Sequence, residues 1–192
     1  WLTPRIKEFM DLHPEIEIEL IFDDKELDLS TRQADVAIRM RRPTQLNLIQ
    51  KKFVNFNYHI YASNEYLEKN GYPKNLKDLD KHRFITYGKG APSPVYNPDW
   101  VLKHGAKEGK KRKSIMKVNS VYGLLLAVQS GVGLAAIPDY IAHNVNNITK
   151  VLPNEAGKPT ETHFVYPASL KTNARLIAFR NFIFSKVSEW KF

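Results

Sequence analysis

A strand end, a helix and a second strand follow one another closely in the stretch Lys117-Val-Asn-Ser-Val-Tyr-Gly-Leu-Leu-Leu-Ala-Val-Gln-Ser-Gly-Val-Gly-Leu-Ala-Ala-Ile-Pro-Asp139. Ser120, or Asn119, can cap the helix because a short side-chain oxygen accepts the free N–H groups of a first helical turn. Gly131 lies where a left-handed C-terminal cap is expected. Residues 132–137 predict a strand buried on both faces, ended by the proline that follows. The stretch therefore predicts a helix N-terminus beside strand ends, where open α/β sheets bind small anions.

The composition of the 192 residues predicts a folded domain, because 43% are hydrophobic and 11% are aromatic. The sequence has no apolar run near the roughly 18 residues that a membrane-spanning helix needs. It also has no cysteine, which excludes disulfides and thiolate metal sites and fits a reducing, cytoplasmic environment. The chain opens on Trp1 rather than on a methionine, so we expect further sequence upstream.

The formal net charge is +9, and much of the excess lies in residues 103–117. Contact with nucleic acid or attraction of anionic small ligands would account for such an excess, as would an ordinary lysine-rich surface. The segment has no interleaved aromatic residues that could stack on bases. We therefore interpret it as a solvated hairpin or loop. Its main cations are Lys107, Lys110, Lys111, Arg112, Lys113 and Lys117.

The N-terminal third predicts a parallel βαβ unit. Residues 15–22 alternate between apolar and charged side chains, which is typical of a strand. Asp23 and Asp24 are expected to cap a short helix, and residues 35–40 form a second apolar strand. A helix that connects two strands is a crossover, and a crossover joins parallel strands.

Strands and helices alternate along the rest of the chain, which predicts an α/β fold. Helices are predicted at 3–12, where Thr3 caps the first turn, and at 63–70, 75–79, 140–144 and 173–190. The last helix is expected to bury Ala174, Ile177, Ala178, Ile183 and Val187. Further strands are predicted at 46–53, 56–62, 83–87, 100–102, 114–118, 148–152 and 163–166, with loops at 88–98 and 153–159.

The sequence shows no catalytic or metal-binding motif. The six histidines form no His-Glu-x-x-His pair, and there is no Gly-x-Ser-x-Gly elbow, phosphate-binding loop or dinucleotide fingerprint. Asp23 and Asp24 form the one adjacent aspartate pair, and a helix cap explains them more simply than acid–base chemistry. We therefore expect neither an enzyme nor a bound metal or cofactor.

Several segments occur in an order that resembles one known family. They are Trp1-Leu-Thr-Pro-Arg-Ile-Lys-Glu-Phe9, His13-Pro-Glu-Ile-Glu-Ile18, Ala34-Asp-Val-Ala-Ile-Arg39 and Tyr61-Ala-Ser-Asn-Glu-Tyr-Leu67, followed by the stretch that ends at Pro138. The chain resembles the effector-binding domain of a LysR-type bacterial transcriptional regulator, in the subgroup related to the glycine-cleavage regulator.

The resemblance implies a type 2 periplasmic-binding-protein-like fold, in which two α/β lobes are joined by two crossover strands and a ligand cleft lies between them. Lobe I would comprise residues 1–58 and 163–192, and lobe II residues 59–162. It also implies that a winged helix-turn-helix, a linker helix and the first strand of the domain precede Trp1. DNA would be bound through that N-terminal domain only.

The resemblance further implies a small-molecule effector in the cleft. Two aspartates in one loop and arginines in the next make the predicted site mixed in charge, which suits an anionic or zwitterionic metabolite. The implied effector-binding residues are Phe22, Asp23, Asp24, Lys25, Arg39 and Met40 in lobe I, and Tyr87, Gly88, Asn119, Ser120, Val121 and Pro138 in lobe II.

A homodimer or homotetramer is also implied, with helix 3–12 packed against the helix after Ser120 of a neighbouring subunit. The simpler interpretation is that both helices cover their own sheets. Two other functions remain as alternatives. One is a solute-binding protein of a transport system, which shares the fold, and the other is an enzyme that acts through Asp23 and Asp24.

Overall fold

The computed structural model of the chain describes residues 1–23, 26–42, 45–88, 97, 99–107 and 110–190. The chain divides into two compact units, unit 1 (residues 1–55 and 161–192) and unit 2 (residues 56–160). In chain order the elements are α1 (Thr3–Leu12), β1 (Ala37–Arg39), β2 (Leu48–Phe56), β3 (Tyr58–Ser63), α2 (Asn64–Asn70), β4 (Phe84–Tyr87), β5 (Ser114–Val118), α3 (Val121–Gln129), β6 (Ala135–Pro138), α4 (Asp139–Ala142), β7 (Ile148–Ala156), β8 (Thr160–Pro167) and α5 (Ala174–Ser188). Short 3-10 turns lie at Asp78–Lys81, Trp100–Leu102 and Ala168–Leu170.

Unit 1 is built on a three-stranded sheet with the order β1-β8-β2. Its core lies between this sheet and the helices α1 and α5, where Phe9, Phe164 and Ile183 are completely buried. Ring contacts connect the two helices, since the centroids of Phe9 and Phe179 lie 5.3 Å apart at a near-perpendicular angle. Such edge-to-face pairs stabilise a core beyond the area that they bury.

The predicted strand at residues 15–22 is not a strand in the structure. Ile16 is buried and Ile18 and Leu20 are half-buried against the core of unit 1, while the glutamates between them are exposed. The period of two is therefore present in the burial of the side chains. However, these residues pair with no strand within the described part of the chain, and a strand is defined by its ladder of hydrogen bonds.

The predicted helix after Asp23 and the parallel crossover are also wrong within the described residues. Residues 29–32 form a turn, in which the Asp28 carboxylate accepts hydrogen bonds from the Ser30 N–H at 2.8 Å and the Ser30 hydroxyl at 2.6 Å. This local bonding competes with a helix for the same backbone groups. β1 then pairs antiparallel with β8, with Ala37 opposite Val165.

The two long helices of unit 1 form where the sequence predicts them, but their ends and faces differ in detail. α1 is capped by Leu2, without a side-chain hydrogen bond, so the prediction of a Thr3 cap is wrong. α5 is capped by Asn173, whose Oδ1 accepts the Leu176 N–H at 3.0 Å. Its buried face is rotated from the predicted one, because Ala174 is exposed. The buried residues of α5 are Leu176, Phe179, Phe182 and Ile183.

Unit 2 is organised around β6, whose four residues are all buried. β6 pairs antiparallel with β3, which in turn pairs with β7. On its other side it lies parallel to β4 through a bridge between Leu134 and Phe84. The close approach of residue 133 to the start of β4 requires a glycine, because a Cβ at position 133 would lie 2.6 Å from the Arg83 carbonyl oxygen. β4 pairs in parallel with β5. The predicted doubly covered strand is thus confirmed.

Two predictions of secondary structure in unit 2 are wrong. Residues 100–102 form a 3-10 turn rather than a strand. The loop predicted from Pro153 is instead the second half of β7, which continues to Ala156. The register along β3 shifts there, since His59 pairs with Ala156 while Ile60 pairs with Val151. A bulge of this kind lets a strand carry residues that would otherwise predict a loop.

Arg112 fixes the basic segment to the rest of unit 2. Its side chain is only 5% exposed and its Nε donates to Asp80 Oδ1 at 2.7 Å. Its terminal nitrogens donate to the carbonyl oxygens of Val101, His104 and Leu76 at 2.6–2.9 Å. The prediction that this segment is a solvated hairpin is therefore wrong for Arg112, which is a buried anchor.

Replacement of Arg112 by methionine tests this anchor. The free energy of unfolding should fall by about 3 kcal/mol, because three carbonyl oxygens and a carboxylate lose their donor. Urea denaturation measures the change. The matched control is Lys113→Met, at an exposed neighbour, which should change stability by less than about 0.5 kcal/mol. Equal losses of unfolding free energy in both variants would contradict the assignment of Arg112 as a buried anchor.

Candidate functional site

The parallel strands β4 and β5 end side by side and bring three of the predicted site residues into contact. Tyr87 lies opposite Val118 at the ends of the two strands. The Gly88 N–H donates to the Val118 carbonyl at 3.0 Å, and the Tyr87 hydroxyl donates to the Asn119 carbonyl at 3.0 Å. A Cβ added at Gly88 would lie 3.5 Å from the Asn119 side chain, an ordinary contact distance. Tyr87, Gly88 and Asn119 thus form one edge of unit 2.

The helix α3 begins at this edge. Ser120 has an extended backbone and its Oγ accepts the Gly123 N–H at 3.2 Å, which confirms the predicted cap. The N–H groups of Val121 and Tyr122 have no partner inside the helix because they lie in its first turn. They point along the helix axis, where the macrodipole is equivalent to about half a positive charge. The N–H donors of this first turn suit an anion. The Asp99 carboxylate also lies at this edge, where it accepts the Tyr87 N–H at 3.1 Å.

The far end of α3 confirms the second feature of the quoted stretch. Gly131 has a φ of 74°, and its N–H donates to the Val128 carbonyl at 3.0 Å. The Val132 N–H reaches the Ala127 carbonyl at 3.2 Å. These two bonds form the Schellman motif that ends a helix at a glycine. The helix is therefore fixed at both ends, and its first turn is held in place.

Pro138 ends β6 near the same edge, because β6 lies parallel to β4. It is buried and pairs with Tyr58 of β3. Its position means that it closes the end of the strand, and its side chain has no group that could donate a hydrogen bond.

A polar cluster that the sequence did not predict lies directly after Pro138. The Asp139 carboxylate accepts hydrogen bonds from the Tyr61 hydroxyl at 2.8 Å and from Lys150 at 3.3 Å, and it lies 2.8 Å from His59 Nδ1. Burial and the hydrogen bond to Asp139 raise the pKa of Tyr61. The signal in the sequence is the spacing of His59 and Tyr61, which places both side chains on one face of a strand.

Tyr58 is a further polar residue that sequence analysis missed. It is 8% exposed, and its hydroxyl has no hydrogen-bond partner within the described part of the chain. Burial raises the pKa of this hydroxyl, and the nearby Tyr140 and Tyr87 raise it further. A buried donor without a partner is costly, so this hydroxyl can gain from a ligand or a water molecule.

Four of the predicted site residues of unit 1 are described. Arg39 is only 9% exposed, and its guanidinium donates to the Glu26 carboxylate and to the Leu27 carbonyl, the latter at 2.5 Å. It therefore holds its own loop. Met40 is half-buried. Phe22 is 82% exposed and Asp23 is exposed too. The predicted site residues Asp24 and Lys25 lie outside the described residues.

The described residues hold neither a metal-ligand cluster nor a membrane-spanning helix. Among the described residues, no group of three or more histidine, cysteine, aspartate or glutamate side chains could hold a metal ion. In the same part of the chain, no helix is both long enough and apolar enough to cross a membrane.

Comparison with protein families gives one match along almost the whole chain. The profile of the LysR substrate binding domain matches residues 1–187. The chain belongs to this family. The resemblance predicted from the sequence is thereby confirmed, and so is the periplasmic-binding-protein-like fold. Membership of the glycine-cleavage subgroup stays a prediction.

Relatives of the LysR domain are transcriptional regulators. An HTH-type transcriptional regulator of Haemophilus influenzae is 32% identical over 171 residues, which cover 87% of this chain and 58% of the relative. The HTH-type transcriptional regulator CrgA of Neisseria meningitidis is 25% identical and is matched over 95% of this chain and 61% of its own length. The chain thus spans about three fifths of the length of these relatives.

Solved structures show the same fold. The regulatory domain of CrgA, a LysR-type transcriptional regulator from Neisseria meningitidis, superposes with a TM-score of 0.83 at 22% identity, covering 97% of this chain and 91% of that domain. The effector domain of AmpR from Pseudomonas aeruginosa superposes with a TM-score of 0.74 at 18% identity, covering 98% of this chain and 89% of that domain. The chain therefore has the fold of these regulatory domains.

Replacement of Ser120 by alanine tests the helix start at the candidate site. The free energy of unfolding should fall by about 1 kcal/mol, because the Gly123 N–H loses its acceptor. Urea denaturation measures this loss. Ser120→Asn retains an acceptor and should remain within a few tenths of a kcal/mol of the unchanged chain. An equal loss in both variants would show that Ser120 does not act as a cap.

Proposed function

We propose that this LysR domain senses a small anionic or zwitterionic metabolite, and that the edge formed by Tyr87, Gly88, Asn119, Ser120 and Val121 binds its anionic group. The observation that supports the proposal is the meeting of two parallel strand ends with the first turn of α3. The N–H groups of the first turn, the Ser120 hydroxyl and the positive end of the helix dipole converge there. A carboxylate accepts hydrogen bonds from N–H and O–H donors, and the dipole attracts its charge.

In unit 1 we propose Phe22, Asp23 and Met40 as ligand contacts, with Asp24 and Lys25 beside them in sequence. Phe22 offers a large exposed apolar surface, and Asp23 offers a carboxylate that would suit the ammonium group of a zwitterion. Arg39 has a positioning role in this proposal, because its guanidinium is already bonded to Glu26 and Leu27.

The proposed mechanism is a shift of populations. A ligand that binds one conformation of the domain more tightly increases the share of that conformation. In the whole protein this shift would change how a helix-turn-helix domain sits on its operator, and the protein would act in the cytoplasm without catalysing a reaction. The HTH-type names of the relatives support a regulator, and they favour it over a solute-binding protein of a transport system.

A thermal-shift screen tests effector binding. The probes are the free amino acids and small mono- and dicarboxylates, each at millimolar concentration. We expect at least one to raise the Tm, because a ligand that binds only the folded state stabilises it. Gly88→Leu should abolish the rise, since a larger side chain would occupy the edge beside Asn119.

The control is Lys69→Leu, at an exposed position on α2, which should leave the response unchanged. A probe that still raises the Tm of Gly88→Leu would place the ligand elsewhere. Small cationic amines serve as a contrasting set of probes, and a rise with these and none with the carboxylates or amino acids would contradict the proposed class of effector.

We also propose that the domain forms a homodimer or homotetramer through α1 and α3. α1 leaves Met10 and Leu12 exposed, and α3 leaves Tyr122 and Leu126 exposed. Large apolar side chains on two helices form the kind of surface that a second copy would cover.

Sedimentation velocity of Leu126→Asp tests this surface. A charge at the centre of an apolar contact should shift the chain from oligomer to monomer at micromolar concentration. The matched control is Ile115→Asp, at another exposed apolar side chain, which should leave the oligomer intact. A monomer in the unchanged chain at high concentration would overturn the proposal.

A further inference from the structure

Unit 2 has a cationic concavity at the start of β4 and β5. Its volume is about 420 Å³, and seven of its eleven lining residues are lysine or arginine. One of the seven is the anchor Arg112, which is buried. The cations that line the concavity besides Arg112 are Lys81, Arg83, Lys107, Lys110, Lys111 and Lys113.

Arg112 explains why these charges lie around one concavity. Its backbone N–H donates to the Leu102 carbonyl at 2.9 Å, and its guanidinium contacts three further carbonyls and Asp80. The backbone on both sides of Arg112 is therefore fixed. Lys111 and Lys113, which are exposed, project from this fixed backbone. The charges are held close together before any partner binds.

Little negative charge compensates these cations within the described residues. Asp80 lies at the concavity, but its carboxylate is bonded to Arg112. Lys81 lies 3.5 Å from Asp78. No ion pair is found for Arg83, Lys107 or the three lysines beside Arg112 in the same described part of the chain. Like charges held together repel each other, and a polyanion relieves this repulsion.

The lining of the concavity favours a particular kind of polyanion. Ala106 and Ile115 are its only apolar lining residues among the described ones, so it lacks the aromatic anchors typical of protein interfaces. The aromatic ring among the described lining residues is the His82 imidazole, which packs against the Tyr66 ring with centroids 5.8 Å apart, so the lining has no Phe, Tyr or Trp platform for unpaired bases. Lysine and arginine side chains without such anchors are typical of contacts to the phosphates of a duplex.

We propose that this concavity binds the phosphate backbone of duplex DNA, independently of base sequence, and thereby depart from the expectation that the N-terminal domain alone contacts DNA. The relatives of the domain are HTH-type regulators, so DNA is within reach of the assembled protein. The concavity is separate from the effector edge, because Arg83 and Lys113 precede β4 and β5 whereas Gly88 and Asn119 follow them. The DNA contact therefore stands or falls independently of effector binding.

Fluorescence anisotropy with the 192-residue chain and a labelled 20-base-pair duplex of arbitrary sequence tests the proposal. Binding should be weak, and its log K should fall linearly with log salt concentration. The triple variant Lys110→Gln, Lys111→Gln, Lys113→Gln should weaken binding more than tenfold at about 50 mM salt, with a slope shallower by about 0.9 for each lost contact. A second variant, Lys81→Gln with Arg83→Gln, approaches the concavity from another element and should weaken binding in the same way.

The matched control removes three exposed lysines elsewhere, with Lys69→Gln, Lys158→Gln and Lys171→Gln. It carries the same net charge as the triple variant and should bind DNA more tightly than that variant. Equal binding by the triple variant and this control would show that net charge alone determines DNA binding, and would overturn the proposed site. Displacement of the duplex by polyglutamate at equal charge concentration would assign the concavity to an acidic protein and overturn the assignment to DNA.

Discussion

Burial of β6 on both faces is the constraint on which unit 2 depends. Leu134 and Ala136 face one hydrophobic cluster, and Ala135 and Ile137 face the other. A strand covered on both faces needs neighbours on both edges, because its backbone groups have no access to water. β3 and the bridge to β4 supply these neighbours. The positions of the parallel strand ends, and hence of the candidate site, follow from this arrangement.

Two charged side chains, Asp139 and Arg112, then fix the segments that lie at the two ends of the parallel strands. At one end of the parallel strands, Asp139 holds the start of α4 to β3 and β7 through Tyr61 and Lys150. At the other end, Arg112 holds the basic segment to the carbonyl groups of neighbouring loops. Both are charged groups with several hydrogen bonds, which is how a protein retains a partly buried charge. One end of the strands therefore presents hydrogen-bond donors, and the other presents a concave array of cations.

The parts that the sequence predicted are those decided by local chemistry. The Ser120 cap, the Gly131 terminus and the buried strand before Pro138 depend on neighbouring residues, and the structure confirms each. Contacts between residues that are distant in the sequence could not be predicted from it. Residues 15–22 have the period of a strand without a ladder partner, and Arg112 looks like another surface cation until its distant carbonyl partners are known. Asp139 was missed for the same reason, because His59, Tyr61 and Lys150 come from two other strands.

The central claim is that the edge at the start of α3 binds an anionic effector. Amide chemical-shift perturbation in ¹⁵N-labelled chain, titrated with the probe that gives the largest rise in Tm, tests it most directly. The largest shifts should occur at the backbone N–H groups of Gly88, Val121 and Tyr122, with smaller ones at Asn119. Perturbations confined to the concavity around Arg112, with the α3 amides unmoved, would contradict the account.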